Sequence, residues 1–273
     1  MMRIGGIRIS GRAASLALGA AVPAGGAVPL GGTHVRLGGT RIDLRSTGTL
    51  GDAADLLAGL GRANVRAIRS DAALREEALR RALSPAVDRC RVQGMGTTLR
   101  HDCTAPSGFQ YASDEEAQAL EACSPNDVWS DIRGLIIGHK RAGRGPDEPI
   151  VADCDDLTPS ALGVAAYISW FAPPGLLAPD GTLSAGQDLS RWRDDDARFA
   201  VAITRPPKAE IAHAYGLTNR VPPWPQPKIE MGKGWYVWDP AAHWGMPRPR
   251  DEFYRTGDVV AHEVRRADLD GIF

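Results

Sequence analysis

The chain has 273 residues and a formal net charge of -1, so it is long enough to bury a good core and carries no global pull toward nucleic acid or an anionic membrane. Apolar residues make up 43% and charged residues 24%, the balance of a soluble globular protein of one large domain or two small ones. Four cysteines (Cys90, Cys103, Cys123 and Cys154) show neither C-x-x-C spacing nor a zinc-finger rhythm. They allow two disulfides in an oxidising compartment, but a chain of this length needs no such staples.

Residues 1–50 differ from the rest. Arg3, Arg8 and Arg12 precede an uncharged run over 13–30, an arrangement that resembles a secretory signal. Ala, Gly and Pro dominate that run, with Pro23 and Pro29 inside it, so it makes a poor transmembrane helix. An ordered N-terminal arm is the expectation, in a cytoplasmic or virion-associated rather than a secreted protein. Two near-copies follow, Gly31-Gly32-Thr33-His34-Val35-Arg36-Leu37 and Gly38-Gly39-Thr40-Arg41-Ile42-Asp43-Leu44. Each is a glycine turn followed by apolar–polar alternation, which predicts short strands, as do Ile7 and Ile9 around Arg8. The segment reads equally as a β-meander laid on the larger domain or as an arm that pairs with a neighbouring subunit. His34 reads as a surface histidine.

Residues 52–83 are predicted helical. Ala53, Ala54, Leu56, Leu57 and Leu60 form one apolar set stopped by Gly59 and Gly61, and Asp71 opens a second helix ending before Ser84-Pro85. Residues 86–113 carry loop chemistry, and the neighbours His101, Asp102 and Cys103 do not converge merely by adjacency. Ser113 to Glu116 reads as a helix cap. Residues 127–137, with Val128, Trp129, Ile132, Leu135 and Ile136, predict an amphipathic helix ended at Gly138. Residues 141–149 and 172–197 read as loops. Between them lies Ile150-Val151-Ala152-Asp153-Cys154-Asp155-Asp156-Leu157-Thr158, a cysteine crowded by three aspartates and followed by an apolar run to Phe171. Acidic neighbours disfavour a thiolate, so this placement needs a reason. Two helix starts fit: one at Cys154, or a later one with Thr158 as cap and Pro159 as first residue. Phe199 to Ile203, Ile211 to Tyr215 and Trp235 to Trp238 then read as strands. The order is α+β, with an antiparallel sheet.

The order permits one kind of chemistry. A cysteine at a helix N-terminus meets partial positive charge, a nearby imidazole can take its proton, and a third group can hold the ring. Cys154, His213 in Ala212-His213-Ala214-Tyr215, and Asp239 in Trp235-Tyr236-Val237-Trp238-Asp239-Pro240 supply these from separate elements. Asp153-Cys154-Asp155-Asp156-Leu157, a strand histidine and aromatic-x-x-Asp-Pro together resemble the transglutaminase-like superfamily of papain-like thiol enzymes, above all its bacterial and tailed-phage members. The resemblance spans about residues 125–250. It implies a cysteine-bearing helix on an antiparallel sheet, a Cys154–His213–Asp239 triad, and attack on an amide carbonyl of a protein or peptide through a thioester, with no cofactor and no metal.

Each piece also has a structural reading. Asp155 and Asp156 serve as first-turn acids, a strand histidine as a hydrogen-bonded core residue, and Asp-Pro as a turn. His243, His139 and His262 stand as reserve bases. Calcium ligation by Asp153, Asp155 and Asp156 lacks the glycine and distal glutamate of an EF-hand loop. The leading expectation is a transglutaminase-like peptidase or amidase of phage or prophage type. The alternative is a structural or connector component of a virion or similar assembly with a vestigial triad. In that case residues 1–50 and a C-terminal tail, 251–273, docking through Ile272 and Phe273, would contact other subunits. Neither reading involves nucleic acid or a membrane.

Overall fold

The computed structural model describes residues 2–4, 7–10, 34–37, 40–43, 50–83, 109–111, 131–152, 154–180, 186–205, 213–220, 229–230, 235–238 and 258–269. They form one layer of helices on a sheet, an α+β arrangement. Helix α1 (Leu50–Ser70) carries the apolar stripe Ala53, Leu57, Leu60, Val65 and Ile68, all buried. It runs through Gly59 and Gly61, where the sequence predicted a stop. At Gly61 the reason is contact: a Cβ there would stand 2.9 Å from Leu162 Cδ2 of a neighbouring helix. Helix α2 (Ala72–Ala82) starts as expected at Asp71, whose carboxylate accepts from Leu74 N at 3.0 Å. Helix α3 (Ile132–Arg141) begins at the cap Asp131 and passes through Gly138 to a cap at Ala142, while the earlier part of the expected helix, 127–130, lies outside the described residues. Gly143, at φ 74°, takes the left-handed turn that stops it.

Helix α4 (Cys154–Phe171) settles the choice of start: Cys154 is its first residue and Pro159 lies inside it. Every residue from Cys154 to Trp170 is buried. A helix covered all round must approach its neighbours closely, and Ala161, Gly163, Ala165 and Ala166 make that possible. At Gly163 an added Cβ would sit 2.5 Å from Asn64 Cβ of α1. Asn64 in turn accepts from Ile132 N at 3.0 Å, tying α1 to the start of α3.

The main sheet has the order β1-β2-β11-β7-β8-β10-β9. Its members are β1 (Met2–Ile4), β2 (Ile7–Ser10), β7 (Phe199–Arg205), β8 (His213–Thr218), β9 (Ile229–Glu230), β10 (Tyr236–Trp238) and β11 (Asp258–Val264). All pairings are antiparallel except β2 with β11. Two expectations change here. The C-terminal stretch read as a docking tail holds a strand: β11 lies inside the sheet between β2 and β7, with Val259 and Ala261 on one face and Val260 and Val264 on the other. The region 86–113, read as loop, contains β5 (Phe109–Tyr111), which pairs in parallel with β6 (Ile150–Ala152) and so steers the chain into Cys154. Within the Gly-rich copies, β3 (His34–Leu37) pairs antiparallel with β4 (Thr40–Asp43).

Alternation divides the sheet cleanly. Phe199, Val201, Ile203, Ala214 and Val264 pack with the helices in one core. Ala200, Ala202, Tyr215, Leu217, Val237, Val259 and Ala261 form a second cluster, with Trp235, on the opposite face. Among the described residues no helix is long and apolar enough to cross a membrane.

Candidate active site

The thiol is placed by two local features. Strand β6 delivers the chain to the edge of the helix layer, and α4 begins at Cys154, so the sulfur sits where helical N–H groups have no partners within the helix. Asp155 and Asp156 occupy the same first turn and suit its positive end, at 1% and 4% exposure. Cys154 is itself 1% exposed, and its Sγ lies 4.0 Å from Asp155 Oδ1 with the thiol donating. At that length the contact is weak.

One turn further on, Thr158 Oγ1 donates to the carbonyl oxygen of Ala214 in β8 at 3.1 Å, in a buried setting. Residues four apart share a helix face, so Cys154 and Thr158 lie on the same side of α4. Ala214 follows His213. This hydrogen bond therefore draws the cysteine turn and the histidine end of β8 together. Sequence reasoning considered Thr158 only as a possible cap; a hydroxyl one turn after the cysteine was the available signal.

His213 is the first residue of β8 and is buried at 2% exposure. Its ring lies near-parallel to that of Tyr215, with centroids 6.1 Å apart and planes at 22°. It pairs across the strands with the buried Thr204. By strand alternation His213 shares the face of Tyr215 and Leu217, whereas Ala214 faces the helices. Cys154 packs in the helix-side core, so strand alternation sets the imidazole of His213 on the face of the sheet opposite α4.

The third residue, Asp239, lies outside the described residues, as do His243, His101, Cys90, Cys103 and Cys123. The strand that leads to Asp239 is placed: Trp238 of β10 pairs with Gly216 of β8, so the two strands expected to carry base and orienter are neighbours. The other reserve histidines belong elsewhere. His139 Nε2 donates to Gly145 O at 2.9 Å, and burial pushes its pKa down. His262 pairs through Nδ1 with Asp55 of α1 at 3.1 Å, two strands away from β8.

Comparison of the chain with protein-family models, with curated proteins and with solved structures finds no match.

Proposed function

We propose that the chain is a transglutaminase-like cysteine hydrolase, a peptidase or amidase of phage or prophage type, built on the papain-like pairing of a cysteine helix with an antiparallel sheet. The observation that carries this reading is the Thr158–Ala214 hydrogen bond, which ties the turn of Cys154 to the end of β8 where His213 sits. In the mechanism His213 accepts the thiol proton and Asp239 orients the imidazole. The thiolate attacks an amide carbonyl, and the oxyanion is met by N–H groups at the helix start, that of Cys154 included. Collapse expels the amine, which takes the proton from the imidazolium, and leaves a thioester. Water, deprotonated by His213, then attacks the thioester, releasing the acid and returning the proton to the thiolate.

A second reading is favoured by the burial of both groups and by the face that His213 shares with Tyr215: an assembly component of a virion or similar particle that keeps the fold without the chemistry. Iodoacetamide separates the two. A thiol that is 1% exposed and unactivated reacts more slowly than an exposed one. The hydrolase predicts that peptide mapping at neutral pH finds Cys154 alkylated faster than the other three thiols, by about tenfold or more, with the advantage lost in His213→Gln. Equal or slower reaction at Cys154 refutes the hydrolase and leaves the assembly component.

A further inference from the structure

The turn before β6 is held by an unusual set of donors. His139 Nε2 donates to the carbonyl of Gly145 at 2.9 Å, Arg80 Nη2 to that of Pro146 at 2.7 Å, and Arg81 Nη1 to that of Glu148 at 2.8 Å. Three carbonyls within four residues are thus gripped from α2 and α3. Glu77 fixes both arginines, with Arg80 Nε at 3.0 Å and Arg81 Nε at 2.7 Å from its carboxylate. The grip is buried where it matters: Arg81 is 1% and His139 3% exposed. The segment it fixes runs through β6 into Cys154.

The protonation state of His139 follows from its partner. A carbonyl only accepts, so the ring proton is on Nε2 and Nδ1 carries the lone pair. Nδ1 is buried without a hydrogen-bond partner among the described residues, and so is Arg81 Nη2. A second ring proton would create another unmatched buried donor. The charged groups that bear on the ring are Arg81 of α2 and Arg144 of the turn, which oppose a positive imidazole, and Glu148, which favours it. Ile150 and Ala152 of β6 contribute no charge. Burial, with the two arginines, outweighs the Gly145 carbonyl and Glu148, which both favour the charged ring.

We propose that this cluster is an acid-labile clamp: a second ring proton, on the buried Nδ1, favours a state in which His139 leaves its site, giving up the carbonyl of Gly145 and loosening residues 142–152, the lead-in to α4. The inference holds whether or not Cys154 is catalytic. Its sign follows from the lowered folded-state pKa of His139, relative to an ordinary value of 6.5. The neutral ring's contribution is complete above that value and is lost as pH falls below it, because the opened state then binds the proton that the closed state refuses.

Hydrogen exchange read by mass spectrometry on the full chain tests it, after correction for intrinsic exchange rates. Between about pH 7.5 and about pH 5.5 the opening equilibrium of residues 142–152 should rise by up to about tenfold, while α1 and β7 stay level. In His139→Gln, whose amide still donates to Gly145 but does not titrate, the profile should be flat. A wild-type profile with no rise, one that rises equally in α1 and β7, or a rise that persists in His139→Gln overturns the clamp. If that variant fails to fold, the wild-type profile alone decides between a local rise and none.

Discussion

Gly163→Ala is the sharpest test of how this molecule is packed. Alanine is the better helix former by about 1 kcal/mol, so propensity alone predicts a gain. Contact predicts the reverse. The new Cβ would stand 2.5 Å from Asn64 Cβ, 3.3 Å from the Asn64 carbonyl carbon and 3.4 Å from Val65 N. Backbone atoms of α1 cannot swing aside, so the helices must separate, at a typical overpacking cost of about 1–3 kcal/mol. Asn64 is also held by its bond to Ile132 N, and leaving that buried donor unmatched costs about 1–3 kcal/mol more. The net expectation is a loss of about 2–3 kcal/mol, which lowers the melting temperature by roughly 5–10 °C. Gly61→Ala is the internal control. Its Cβ would meet only Leu162 Cδ2, at 2.9 Å, and then Val264 Cγ2 at 3.7 Å. Those are ends of side chains that can rotate, so the change should fall within about 1 kcal/mol of neutral. Both variants are compared by denaturant titration and thermal melts followed by circular dichroism. If Gly163→Ala is as stable as the parent, or if Gly61→Ala loses as much, the close crossing of α1 and α4 is not what these glycines serve.

Thr158→Val keeps the shape and deletes the bond to Ala214, leaving a buried carbonyl unmatched; a shift of the urea midpoint worth about 1–2 kcal/mol is expected, and none would mean the tie is dispensable. At Glu77, burial raises the carboxyl pKa, but hydrogen bonds and charge from Arg80 and Arg81 outweigh it, and the net direction is down from 4.5. Its stabilisation is therefore present above that value and fades as pH falls through the lowered one. Glu77→Gln should cost about 2–3 kcal/mol at neutral pH, since it strands the Arg81 guanidinium, and the gap to wild type should narrow in urea melts near pH 3.

Much of the fold was legible because local signals and tertiary roles agreed. Asp71 caps α2 as its position ahead of an apolar run implied, and Phe199 to Ile203 and the residues after His213 form the strands their composition suggested. The failures have one physical source: the same residue serves two purposes that sequence cannot separate. Gly61 and Gly138 look like helix terminators, and in each case the helix runs through the glycine. At Gly61 the missing Cβ makes room for a neighbouring helix. Alternating charged and apolar residues near the C-terminus read as a docking tail, yet Val259, Ala261 and Val264 are buried within a strand that β7 and β2 flank. For the site, the cysteine helix and the histidine strand were readable from motif and order. The face of the sheet that His213 occupies was not, because it depends on the register of β8 against β7.

That register makes the first turn of α4 the element on which any chemistry depends. Pro159 has no N–H, so the carbonyl of Asp155 receives no bond from the residue four ahead, and the ladder of the first turn is short one rung. A threonine in a helix commonly bonds back to the carbonyl four residues earlier, which here belongs to Cys154. Thr158 instead turns its hydroxyl to Ala214. The cysteine turn is thus tied to β8 as well as to its own helix. His213 is the residue next to the one gripped, so the bond joins the turn of Cys154 to the start of β8. On the proposed hydrolase reading, this tie holds the turn that carries the nucleophile against the strand that carries its base.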